Sequence, residues 1–199
     1  MKLRSAPGFT LVEMMITLVI FLALVAFSLP SLRTLWQNNQ LRSSADSVLS
    51  GIQLARSEAM KRNARVYFFI TSSLTSACTL DPAGRFWVVS LADPTSKCDI
   101  TPSSTTAPKT IQTGRLADVT GNVTIAGVDS AAGDAYAVGF GGSGFVAANA
   151  DASNSIAEIS FDAPKLGSNA YQLKIQIADA GRVKMCSVSA TSGDSRACD

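Results

Sequence analysis

Residues Phe9–Leu29, FTLVEMMITLVIFLALVAFSL, form an almost uninterrupted apolar run whose only ionisable side chain is Glu13. A helix of this length crosses a hydrocarbon core of about 30 Å. Ahead of it lies MKLRSAPG, whose Lys2 and Arg4 place the N-terminus on the cytoplasmic side and send the rest of the chain outward. An ordinary secretory signal would be cut behind its apolar stretch at a small-x-small site, yet that boundary reads AFSLPSL. The run is therefore expected to stay in the mature protein. A carboxylate inside such a run costs about 2.5 to 3.5 kcal/mol at mid-membrane, so Glu13 needs a compensating partner unless it stays wet among headgroups.

Gly8-Phe9-Thr10-Leu11-Val12-Glu13 followed by an apolar helix resembles the leader junction of type IV pilins and type II secretion pseudopilins. The resemblance implies cleavage between Gly8 and Phe9 by a prepilin peptidase, methylation of the Phe9 amine, and an assembly role for Glu13. In that role Glu13 of one subunit neutralises the Phe9 amine of a neighbour within an apolar filament core. The implied location is the bacterial inner membrane, with a periplasmic C-terminal domain, and then the filament. The implied partners are other pilin subunits, the peptidase, and the membrane before assembly.

The rest of the chain sets limits on function. Of its 199 residues 17 are basic and 15 acidic, and removal of a leader holding Lys2 and Arg4 leaves fifteen against fifteen. Whole-chain charge thus gives no argument for nucleic acid. The absence of histidine removes Ser-His-Asp and Cys-His nucleophile pairs and His-ligated zinc, so the reading is not an enzyme and invokes no cofactor or metal. Four cysteines, Cys78, Cys98, Cys186 and Cys198, lack C-x-x-C spacing and suit disulfides in an exported domain. Three connectivities are open. The two local loops, Cys78 with Cys98 and Cys186 with Cys198, are favoured because each encloses polar, turn-rich sequence.

Pro30 is expected to end or kink the first half of the helix, residues 9–30. Helical patterning resumes over 31–65, where Leu41, Ala45, Val48, Ile52, Ala55 and Ala59 form one apolar stripe suited to close packing on a sheet. The run QLARSEAMKRNARV at its end resembles the GspH/FimT/FimU-type pilin subfamily. Lys61, Arg62 and Arg65 could bind phosphate, but cations in a last turn also favour the helix dipole.

Residues 66–199 read as a globular β domain, with strands expected at 66–71, 86–91, 119–128, 135–140, 156–161, 171–178 and 182–186. Tyr171, Leu173, Ile175 and Ile177 alternate with polar residues and should bury one face against the helix stripe. Asp179-Ala180-Gly181 should turn a hairpin. TPSSTTAPKTIQT, residues 101–113, reads as a surface loop. The fold class is α+β: a long N-terminal helix packed on an antiparallel β-sheet domain with two disulfides, the pilin fold that the resemblance implies.

Gly139-x-Gly141-x-x-Gly144 has dinucleotide-loop spacing, but a short strand and a turn follow it where a helix N-terminus would be needed. Gly142-Ser143-Gly144 has no histidine to activate its serine. Asp81, Asp93 and Asp99 read as turn formers. In Gly181-Arg182-Val183-Lys184-Met185-Cys186, Arg182 and Lys184 should share a strand face, with Arg196 brought near by the second cysteine loop. This segment resembles the C-terminal Gly-Arg-x-Arg motif of FimT-like pilins implicated in DNA uptake, with lysine replacing the second arginine and losing its bidentate fork. The function implied is a minor type IV pilin. The alternatives are a minor pilin that binds double-stranded DNA for transformation and a GspH-like minor pseudopilin of type II secretion.

Overall fold

The computed structural model of the chain describes residues 8–117, 121–191 and 193–198, and the side chains of all of these except 26–31, 168 and 169. Most of the expected leader, with Lys2 and Arg4, and the start of the strand expected at Val119 lie outside the described residues. The chain forms two compact units, residues 1–36 and 37–199.

Helix α1, Leu11–Arg62, runs on through Pro30, which therefore does not end it. Proline costs one backbone hydrogen bond there, a loss that a 52-residue helix survives. In the first unit the apolar side chains from Phe9 to Val25 are exposed, Phe9 at 82%. The end of the Phe9–Leu29 run lies among the side chains left undescribed, and among the described residues no helix is long and apolar enough to cross a membrane. The anchor rests on the sequence run.

The helix stops in a Schellman motif. Asn63 takes the left-handed conformation at φ 46°, its N–H donates to Met60 O at 3.3 Å, and the Ala64 N–H donates to Ala59 O at 3.2 Å. Among the described residues the chain then forms nine strands: β1 Val66–Thr71, β2 Phe86–Ser90, β3 Thr110–Arg115, β4 Thr124–Val128, β5 Ala137–Phe140, β6 Val146–Ala147, β7 Glu158–Asp162, β8 Leu173–Ile177 and β9 Val183–Ser187. They make two antiparallel sheets, in the orders β3-β2-β1-β5-β6 and β4-β7-β8-β9. A short 3-10 segment, Pro164–Asn169, links β7 to β8.

The helix stripe behaves as its spacing predicts: Leu41, Ala45, Val48, Ile52, Ala55 and Ala59 are all sealed from solvent, in one core with Phe68, Phe140, Ile159, Phe161 and Ile175. Small residues let the backbone come close. A Cβ on Gly51 would stand 2.9 Å from the Phe68 ring, so glycine here sets the helix-to-sheet distance. Polar positions of α1 also grip the sheet edge. The Ser47 hydroxyl accepts from Trp87 Nε1 at 3.1 Å and donates to Arg115 O at 3.1 Å, while Ser44 Oγ accepts from Ala117 N at 3.1 Å.

Two sequence expectations need correction. Residues 110–113 of the expected loop belong to β3, with Thr113 opposite Val88. As an edge strand β3 needs little apolar surface, and its Ile111 side chain alone packs against the core. Tyr171 is 52% exposed, since β8 starts only at Leu173; the Tyr171 N–H instead donates to Asn38 Oδ1 at 3.0 Å. Ile175 and Ile177 are buried as the alternation requires.

Both disulfides are the local ones. Cys78–Cys98 and Cys186–Cys198 have Cα separations of 6.1 and 5.0 Å.

Candidate assembly site and cationic hairpin

The head of α1 is closed by its own side chains. The Thr10 N–H and hydroxyl both donate to Glu13 Oε2 at 3.3 Å, and the Glu13 N–H donates back to Thr10 Oγ1 at 3.2 Å. This is a capping box: the two residues satisfy donors that the first helical turn leaves without partners, and the carboxylate faces the positive end of the helix dipole. Gly8 and Phe9 immediately precede it. The partner that Glu13 needs is thus supplied in part by its own chain. Thr10 was the residue missed on sequence, although Thr-x-x-Glu before an apolar run carries that signal.

At the other end of the helix Glu58 accounts for two of the three basic side chains of the cluster, Lys61 and Arg62. It holds Lys61 Nζ at 3.4 Å and Arg62 Nε at 2.6 Å, and the Arg62 hydrogen bond draws its carboxyl below the usual range. These are the i,i+3 and i,i+4 pairs of an exposed helix face.

The hairpin forms where Asp179-Ala180-Gly181 predicts it. Gly181 sits at φ 75°, its N–H donates to Ala178 O at 2.7 Å, and the Ala178 N–H donates to Arg182 O at 2.9 Å. A Cβ at Gly181 would collide with the Gly144 carbonyl, which also accepts from Arg56 Nε at 3.0 Å. The Gly139-x-Gly141-x-x-Gly144 run is accordingly a tight turn between β5 and β6, pressed against the β8–β9 hairpin and pinned by the helix.

Arg182 and Lys184 line one groove of about 430 Å³, but Asp129 and Glu158 line it too. Glu158, Gln176 and Lys184 stand in one register row across β7, β8 and β9. Glu158 pairs with Lys174 at 2.7 Å. Asp129 accepts from the N–H groups of Gly133 and Ala131 and from Asn154, which together hold its carboxyl low. Lys184 Nζ donates to Ala197 O at 2.9 Å, tying β9 to the disulfide loop. Arg196 does not offer a free fork: its Nη2 lies 2.7 Å from Asp194 Oδ2 and its Nε 3.2 Å from Oδ1, holding the Asp194 carboxyl at about 2 and raising the guanidinium. The three cations are therefore not one patch of a single sign.

Asp81 and Asp93 are turn formers, accepting from Ala83 N at 2.9 Å and Thr95 N at 2.8 Å. Among the described residues no group of three His, Cys, Asp or Glu side chains could hold a metal ion.

Residues 44–191 match the protein family described as type II transport protein GspH, and residues 3–29 match the prokaryotic N-terminal methylation motif. No curated protein matches the sequence. Two crystal structures of the type IV minor pilin FimU from Pseudomonas aeruginosa are similar at 15% identity. One covers 75% of this chain and 90% of that chain with a TM-score of 0.44, the other 72% and 90% with 0.43. A likeness this distant carries no argument about function.

Proposed function

The chain belongs to the GspH family of type II transport proteins, and from that premise we propose that it is a minor pilin, assembling at low copy into a type IV pilus through its N-terminal helix. The observation that carries this reading is the helix head. Phe9 directly follows the Gly8 of the methylation motif, the Glu13 carboxylate is capped by Thr10, and the apolar side chains behind it are bare along the described part of the run. Bare apolar surface of that extent has to be covered, first by lipid and then by neighbouring subunits. Prepilin peptidase would cut between Gly8 and Phe9 and methylate Phe9. The chain would wait in the inner membrane with residues 37–199 in the periplasm. Glu13 Oε1, which has no hydrogen-bond partner in the capping box, would then receive the amine of the next subunit. Deleting the gene and counting surface filaments tests the assembly role, since normal filament numbers would remove it.

The family match itself favours one alternative, a minor pseudopilin whose filament serves type II secretion. Loss of secreted enzymes with pili intact would select it. A second alternative, uptake of double-stranded DNA through Arg182, Lys184 and Arg196, draws support from the exposure of Arg182. It is opposed by the carboxylates in the same groove and by the Asp194–Arg196 pair. Binding of a duplex that falls steeply with salt and is lost in Arg182→Ala/Lys184→Ala would favour it.

A further inference from the structure

Strand β9 is an edge of its sheet, and only part of that edge is closed. Antiparallel pairing alternates bonded and non-bonded residue pairs. The bonds Ala178 N to Arg182 O and Val188 N to Gln172 O fix the parity, so Val183, Met185 and Ser187 direct their backbone groups away from β8. The Ser187 N–H is taken by Arg196 O at 2.7 Å, where the disulfide loop runs parallel to β9. Among the described residues the outward N–H and C=O groups of Val183 and Met185 have no hydrogen-bond partner. Beside them Gln53, Arg56, Ser57, Met60 and Val183 line a groove of about 270 Å³. Met60 is 45% exposed, and Phe145, next in chain to the Gly144 that touches Met60, is 56% exposed.

We propose that this open edge accepts an extended segment of a partner protein, four or so residues long, in which aliphatic and acidic residues alternate. An added strand lies about 4.8 Å beyond β9 and presents its side chains to the two faces by turns. On the inner face it meets Val183 and Met185, which suit aliphatic side chains, and beyond Val183 the groove continues to Met60 among the polar Gln53, Arg56 and Ser57. On the outer face it meets Arg182 and Lys184, whose charges border the edge. Glu158 stands two strands inward from Lys184 in the same row, about 10 Å away on the opposite side, so it does not repel an acidic strand at the edge. A duplex lying on the outer face would instead meet Glu158 and Asp129 directly. The proposal goes beyond the filament reading and does not depend on Glu13.

The test uses the full chain in detergent micelles and a capped peptide, Glu-Val-Asp-Leu-Glu-Ile, with amide hydrogen exchange and fluorescence anisotropy as readouts. Slowed exchange at Val183 and Met185 is expected. A permuted peptide with its acids grouped should bind about tenfold more weakly, and Arg182→Glu should lower affinity for the alternating peptide by at least as much. Val183→Pro, which takes away an outward N–H and breaks no hydrogen bond between β8 and β9, should abolish protection at Met185; if it fails to fold, Arg182→Glu carries the comparison. Equal binding of the permuted peptide, protection elsewhere, or no binding at all overturns the proposal. So does a short duplex that protects the same amides and displaces the peptide. Because Glu13→Ala leaves this surface intact, a chain unable to assemble still gives the answer.

Discussion

The Glu13 carboxylate takes the backbone N–H and the hydroxyl of Thr10 on a single oxygen, Oε2, at 3.3 Å each. A residue that stands out in the sequence as a costly charge in an apolar run is thus also the cap of its own helix. The cap occupies one oxygen and leaves the other for an incoming cation, so self-capping and subunit pairing are compatible.

Gly181 holds the hairpin that presents Arg182 and Lys184, at φ 75° and against the Gly144 carbonyl. Gly181→Ala should therefore destabilise the fold by about 1 to 3 kcal/mol, from backbone strain together with the clash. Urea denaturation followed by tryptophan fluorescence measures it.

Trp87 donates its indole N–H to Ser47 Oγ, 40 residues away on α1. Ser47→Ala leaves a largely buried donor unpaired and should cost about 1 to 3 kcal/mol. A shift in the same urea midpoint, with tryptophan emission altered, is the expected result.

The disulfides close loops with sequence separations of 20 and 12 residues. On the chain-entropy account, replacing either pair by serine should cost about 2 to 4 kcal/mol, with Cys78/Cys98 exceeding Cys186/Cys198 by only about half a kcal/mol. Paired denaturation curves decide whether loop length or local packing sets the order.

The Arg196 guanidinium beside Asp194 holds that carboxyl at about 2, below its ordinary 3.8. A depressed carboxylate adds stability above its unfolded value and loses it as pH falls through the folded one, so the contribution fades between roughly pH 4 and pH 2. In Arg196→Ala the Asp194 carboxyl should titrate higher than in the wild type but still below its ordinary value, because the backbone N–H of residue 196 continues to donate to Oδ1 at 2.9 Å, as NMR of the side-chain carboxyl would show. The pair is solvent-exposed, so its effect on global stability is small.

The helix stripe, both disulfides, the β8–β9 hairpin and most strand positions were legible because each rests on local periodicity or turn chemistry. What was missed depended on context. Strand β3 is polar, and only its pairing with β2 marks it as strand. Whether Tyr171 belonged to β8 was settled by Asn38, more than 130 residues away. The partners of Arg196 and Lys184 lie in a loop whose path is fixed by a disulfide, so charge alone suggested a patch where the structure shows ion pairing and a carbonyl contact. Thr10 was legible and overlooked.

Mass spectrometry of filaments sheared from cells tests the assembly claim most directly, comparing the wild-type chain with Glu13→Ala. The account predicts a wild-type subunit that begins at N-methyl-Phe9 in the sheared fraction. The variant should be cleaved and methylated alike but depleted about tenfold or more, matching loss of one buried charge pairing. A wild-type chain found only in the membrane, or a Glu13→Ala chain incorporated as well as the wild type, would contradict it.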